Sequence, residues 1–463
     1  IGPLSPPVLF VKCCSLYLLM IFFSPQSSLN PLEGLGVVSL SVIYGSQIFS
    51  SIVLTPFIIC KLGCKWTIII SMCVYITYTL ANFYPKWYTL IPTSVLVGIA
   101  GSPFWTAQCT YLTLSAKQYA LKAGKMKTHI ISQYFGIFFF IFQSSRIWGN
   151  LISSLILNFA RRKVSIIQNL DNTSCGVSDN LPTLTTGNIN HSESTTTNSS
   201  GYLVYTILGT YVGMIKFIFL VYFLCYIFNI IIYLTLSLLR TCGEKKKNDE
   251  SRQDFLTNLL VTLKHLRDRR QWLLIPLTMY SGVEQGFILS DYTKSYVTCS
   301  LGMEFVGYVI IVFGAMTSVC SFLFGKLCKY ISRIFFFNLA AATNIICIAV
   351  LFVWAPSPEQ LGVFFIFSGL WGLADAVWQT LVNALYGILF EDNREAAFAN
   401  YLLWKSLGHF LSFGYSSFLR VNIKLCILLF ILVVGMVLYG TVEYIEGKKM
   451  KIVLSRENID MPV

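Results

Sequence analysis

The chain has 463 residues, of which 55% are hydrophobic and only 12% charged, and its mean hydropathy is +0.66. Soluble globular chains carry roughly 25% charged residues, so the apolar excess must face lipid, which excludes a cytosolic enzyme, a secreted disulfide scaffold and a disordered protein. The formal net charge of +13 does not point to nucleic acid, because the basic residues are spread over loops instead of forming one stripe.

At about 20 apolar residues per crossing, the predicted spans are 8–23, 36–60, 66–84, 88–115, 130–158, 202–239, 272–293, 303–324, 334–354, 361–388, 397–419 and 424–442, twelve in all. The first is short and interrupted by Lys12, so a truncated first span is expected. The sixth is about 57 Å long at 1.5 Å per residue and can be read as one long helix or as two spans. Two spans there would export the basic central loop. With twelve spans and both termini cytosolic, most of the 34 Lys and Arg residues fall in cytosolic segments, among them Lys61, Lys117, Lys122, Lys326, Lys329 and Arg333, in keeping with the positive-inside rule. The expected organisation is a six-helix half (1–239), a cytosolic linker (240–271), a second six-helix half (272–442) and a cytosolic tail (443–463).

All three N-x-[ST] sequons, at Asn172, Asn190 and Asn198, lie in the loop 161–201, which charge counting places outside. This loop is expected to be glycosylated. Of the 14 Cys, only Cys175 and Cys299 fall in exoplasmic loops. They are expected to form a disulfide between the halves, with Cys426 as the rival partner.

The two halves look related. Gly63 and Ser332 in basic turns, Trp105 and Trp378 in spans four and ten, and Gln133 and Asn400 in spans five and eleven are each separated by about 270 residues. These separations fit the six-plus-six parallel repeat of the major facilitator fold. The stretches GLGVVSLSVIYG (34–45), WYTLIPTSVLVGIAGSPFWTAQCTYLT (87–113), QYFGIFFFIFQSSRIWGNLISS (133–154), SYVTCSLGMEFVGYV (295–309), FFIFSGLWGLADAVWQTLVNALYGILFE (364–391) and EAAFANYLLWKSLG (395–408) closely resemble the Unc-93-like family. The resemblance implies an all-α polytopic membrane protein of major facilitator type with twelve transmembrane helices. It also implies regulation of a potassium channel at the plasma membrane. Four features depart from the family pattern. The first span keeps only Gln26–Leu29, the sixth run is long, Arg146 stands in place of a small residue and Glu284 in place of Gln.

A charge at mid-span costs on the order of 2.5–3.5 kcal/mol on insertion scales, so each one needs a reason. Arg146, Lys216, Glu284, Asp375 and Lys405 are the intramembrane charges. In this fold spans one, four, seven and ten line the central cavity, which makes Trp105, Gln108, Glu284, Gln285, Asp375, Trp378 and Gln379 its candidates. Their other reading is helix packing through buried hydrogen bonds. Arg146 and Glu284, opposite in sign, are expected to pair. The basic turns Lys61–Lys65 and Lys329–Arg333 lack the acidic residue of the facilitator gating loop, with Cys60 and Lys329 in its place, which favours a non-transporting role. The four His show no metal-ligand spacing, no G-x-x-x-x-G-K-[ST] loop is present, and nothing calls for a cofactor or nucleic acid. The expected partners are the bilayer and a potassium channel subunit. The alternative is a secondary transporter of a small solute, coupled to protons or sodium through Asp375 and Glu284.

Overall fold

A computed structural model describes residues 35–81, 86–161, 175–178, 265, 267–416 and 418–459. The long helices among them are α1 (Leu35–Val53), α2 (Thr55–Ala81), α3 (Trp87–Ala123), α4 (Lys127–Arg161), α5 (Arg269–Phe287), α6 (Met303–Leu327), α7 (Arg333–Val353), α8 (Leu361–Leu389), α9 (Arg394–Tyr415) and α10 (Val421–Ile459). No strand occurs among the described residues.

Helix ends follow local chemistry. Asp268 caps α5 by accepting from the Arg270 N–H at 2.9 Å, and Ser332 caps α7 by accepting from the Ile334 N–H at 3.2 Å. Gly124 closes α3 in the left-handed conformation (φ 61°) with its N–H bonded to the Ala120 carbonyl.

The expected span boundaries shift in two places. The first break in the N-terminal helices falls not at the basic turn but at Leu54, where Val38–Val53 and Thr55–Cys64 bend by 76°. The basic turn is instead a kink inside α2, at Gly63 with φ 71°. After Phe287 the chain continues as an eleven-residue π-helix, Ile288–Thr298, before a short helical turn at Cys299–Leu301.

Five helical stretches are long and apolar enough to cross a membrane: Trp87–Ala123, Phe305–Leu327, Arg333–Val353, Pro358–Leu389 and Val421–Lys448. The bent pair at Leu54 is a sixth if it is one crossing. Five or six, not twelve, is the number of described helices that meet this criterion. α4, α5 and α9 cover the expected fifth, seventh and eleventh spans as helices without meeting it. The expected spans 8–23 and 202–239, and with them Lys216, lie outside the described residues.

The N-terminal and C-terminal helices meet along two seams, α4 against α6 and α1 against α9. Small residues set the first seam. A Cβ on Gly136 would stand 2.8 Å from the Ser321 carbonyl and 2.9 Å from the Gly325 Cα, so the backbones of α4 and α6 touch directly. Such contact is how helices gain packing energy where lipid offers no hydrophobic drive. Ser318 adds a hydrogen bond to the Phe140 carbonyl at 2.7 Å. Within the C-terminal helices, Gly282 and Gly408 play the same part, each lying against the other helix's backbone between α5 and α9.

Candidate functional site

Between the two seams lies a cavity of about 140 Å³, room for about five waters at their share of liquid volume. α1 contributes Tyr44 and Gln47, α3 Trp105 and Cys109, and α4 Phe139, Phe142 and Arg146. From the other half come Gln285 of α5, Gln379 and Asn383 of α8, and Tyr401, Lys405 and His409 of α9. The wall is therefore half aromatic and half amide and cation. Trp105 is held edge-on against Phe142 at 5.0 Å, and Tyr44 stacks on His409 at 4.4 Å.

A connected polar network underlies the C-terminal wall. Asp375 is fully buried, and its Oδ1 accepts from the amides of Gln285 (2.9 Å) and Gln379 (3.2 Å). The Lys405 ammonium donates to Gln379 Oε1 at 2.7 Å. Both ring nitrogens of His409 face oxygens: Nδ1 the Lys405 carbonyl at 3.0 Å, Nε2 the Gln285 Oε1 at 3.2 Å. The Gln285 side chain thus bridges His409 on the wall to Asp375 behind it.

Trp105, Gln285 and Gln379 sit on the cavity wall, and so do Arg146 and Lys405, whose spans five and eleven were not expected to line it. The remaining candidates are placed differently. Asp375 lies behind the wall and reaches the cavity only through the two glutamines. Glu284 is fully buried and turned toward Trp371 and Asp375. Gln285, the next residue, takes the cavity face of α5. Trp378 packs at 5.5 Å from Tyr280 and 5.8 Å from Phe337 within the C-terminal half, and Gln108 is buried on α3 away from the wall.

The expected Arg146–Glu284 pair does not form. The Arg146 guanidinium lies over the Phe313 ring, 5.5 Å from its centroid. Neither Glu284 carboxylate oxygen has a hydrogen-bond partner, nor does Arg146 Nη1. The reason is again the helix face: Arg146 points into the cavity and Glu284 points away from it.

Near the end of the bundle that bears Cys299, a bond joins the sulfurs of Cys175 and Cys299, with Cα atoms 5.7 Å apart, within the range a disulfide needs. Cys426 is unbonded. Close by, Lys424, at the start of the expected twelfth span, is buried and donates to Asp291 Oδ1 at 2.6 Å and to the Ser416 carbonyl at 2.7 Å. The sequons at Asn172, Asn190 and Asn198 lie outside the described residues.

The UNC-93 family profile, described as "Ion channel regulatory protein UNC-93", matches residues 31–439. The chain belongs to the UNC-93 family. It is 52% identical over 428 residues to a Xenopus laevis protein named "Protein unc-93 homolog A", covering 92% of this chain and 90% of that one. It is 49% identical to the Homo sapiens protein of the same name, covering 92% and 89%. A Caenorhabditis elegans relative named "Putative potassium channel regulatory protein unc-93" is 31% identical, covering 92% of this chain and 59% of that one. Among solved structures, the E. coli fucose:proton symporter superposes with a TM-score of 0.56 at 12% identity, covering 94% of this chain and 98% of that one. A bacterial homologue of the iron transporter ferroportin, in its outward-facing state, superposes with a TM-score of 0.51 at 10% identity, covering 94% and 99%. The fold of this UNC-93 chain is therefore of major facilitator type.

Sequence reasoning overlooked Tyr44, Gln47, Asn383, Tyr401 and His409 on the wall. Part of the signal was present: Tyr401, Lys405 and His409 recur every four residues and so share one face of α9.

Proposed function

We propose that this UNC-93 family member is a non-enzymatic regulatory subunit that assembles with a potassium channel in the plasma membrane. The observation that supports this most directly is family membership across 31–439, together with the channel-regulator name of the C. elegans relative. In this reading the chain crosses the bilayer twelve times as two six-helix halves, 1–239 and 272–442, joined by the linker 240–271. Both termini, including the tail 443–463, are cytosolic, and the loop 161–201 is exoplasmic with glycans at Asn172, Asn190 or Asn198.

The decisive experiment expresses the chain with candidate potassium channels and measures both co-purification and current. A channel that co-purifies and changes its current in the presence of the chain supports the reading. A chain that captures no channel and alters no current overturns it.

One observation favours a second reading, secondary transport. The His409–Gln285–Asp375 hydrogen-bonded chain connects a buried carboxylate to a central cavity. Proton-dependent solute uptake into proteoliposomes, abolished by Asp375→Asn, would establish transport. The fold alone does not choose between the two.

A further inference from the structure

Among the described residues, the cavity wall carries two cations, Arg146 and Lys405, and no carboxylate. The one acidic group connected to it, Asp375, lies behind Gln379, whose carbonyl takes the Lys405 ammonium, so one carboxylate stands against two cations. Glu284 faces away from the cavity, toward Trp371. Lys405 spends its ammonium on Gln379. Arg146 is left: its guanidinium reaches the cavity, forms no ion pair among the described residues, and has a buried Nη1 without a hydrogen-bond partner. The guanidinium is half-buried over the Phe313 ring, and its fork of donors matches a carboxylate.

We infer that the central cavity is a binding site for a small monovalent organic anion, a carboxylate with a flat apolar body, anchored by Arg146. The anchor sets the charge. Beside it, Trp105, Phe142, Phe139 and Tyr44 form a surface that suits a ring or short apolar chain and disfavours a strongly hydrated ion such as phosphate. The cavity volume of about 140 Å³ suits a ligand of about the size of benzoate. Ligand pockets commonly combine apolar surface with a few placed polar groups. This inference goes beyond the channel reading and does not depend on it, because a regulator and a carrier would each present the same site.

The test uses the full chain in lipid nanodiscs and radiolabelled benzoate. Binding should saturate, and unlabelled benzoate should compete at least tenfold better than the neutral isostere benzamide or the cation benzylammonium. Arg146→Gln should weaken binding at least tenfold, while Arg146→Lys, which keeps the charge but loses the fork, should recover only part of it. Thermal melting and gel filtration report whether each variant folds, and the competition series on the unaltered chain needs no variant. Absence of saturable binding at millimolar benzoate overturns the inference. So does equal competition by benzylammonium, undiminished binding in a folded Arg146→Gln protein, or complete displacement by chloride alone, which would mark an inorganic anion site.

Discussion

Lys117, near the end of α3, holds Glu391, two residues beyond α8, with Nζ 2.7 Å from Oε1. The pair joins the N-terminal and C-terminal helices at the end of the bundle that carries the basic turns. Beside it α8 lies close on α3, since a Cβ on Gly387 would come within 2.9 Å of Thr113 Oγ1. Burial works to raise the Glu391 pKa, but the Lys117 hydrogen bond and charge outweigh it and hold the carboxyl below its usual range.

Such a half-exposed pair contributes at most about 1 kcal/mol, yet its loss biases this end toward opening. Lys117→Glu should raise the alkylation rate of Cys109, a cavity-wall thiol, by up to about fivefold, as read by peptide mass spectrometry after N-ethylmaleimide. The charge-swapped double variant Lys117→Glu, Glu391→Lys should return the rate to its original value. An unchanged rate in both proteins would show that the pair does not hold this end closed.

The Asp291–Lys424 pair is a different case, because both side chains are buried. Removing one partner of a buried pair typically costs about 3–5 kcal/mol, since it strands the other charge. Asp291→Asn should therefore lower the melting temperature sharply, and adding Lys424→Met should recover a substantial part. Equal melting of the single and double variants would count against an ionic role.

Cys175 and Cys299 are separated by 124 residues. The chain-entropy model assigns nearly 5 kcal/mol to closing a loop of that size, an upper figure for a chain already confined by a membrane. Cleavage between 180 and 264 should leave two fragments that migrate together until a reductant separates them. Fragments that part without reductant would show the bond absent from the native protein. Cys175→Ser should lower thermal stability by less than the entropy model allows.

Acid should weaken the start of α5. Burial acts to raise the Asp268 pKa, but hydrogen bonds from Arg270 and its charge outweigh burial and leave the group below its usual value. A depressed folded pKa contributes stability that is complete above the unfolded value of about 3.9 and is lost as pH falls through the folded one. Melting measured from pH 6 down to pH 3 should show this loss in the unaltered chain. In Asp268→Asn, which keeps a capping oxygen but no titrating charge, this part of the acid dependence should disappear.

The parts of this architecture that rest on compartment and composition were legible in the sequence. Cys175 and Cys299 could be paired because the charge pattern assigns only these two thiols to exoplasmic loops, and Trp105, Gln285 and Gln379 could be placed because a repeat fixed their spans. What failed depended on angle and reach. Glu284 and Trp378 sit on the expected helices but on the wrong faces, and a one-residue displacement turns a wall residue into a core one. The buried pair of Lys424 was not legible, because its partner is 133 residues away, a distance no local pattern reports. The π-helix at Ile288–Thr298 is equally silent, because a span read at a 3.6-residue period carries no sign that the turn widens.

α10 has a mechanical consequence. It runs unbroken for 39 residues, about 58 Å at 1.5 Å per residue, nearly twice the hydrocarbon thickness of about 30 Å. Where the expected tail begins, Glu443 grips Arg333 at the head of α7 (2.7 Å) and Glu446 reaches Arg270 at the head of α5 (3.5 Å). The helix is thus a lever clamped at its fulcrum. A push on its projecting end by anything docked there would be delivered as torque to α5, the helix that carries Gln285.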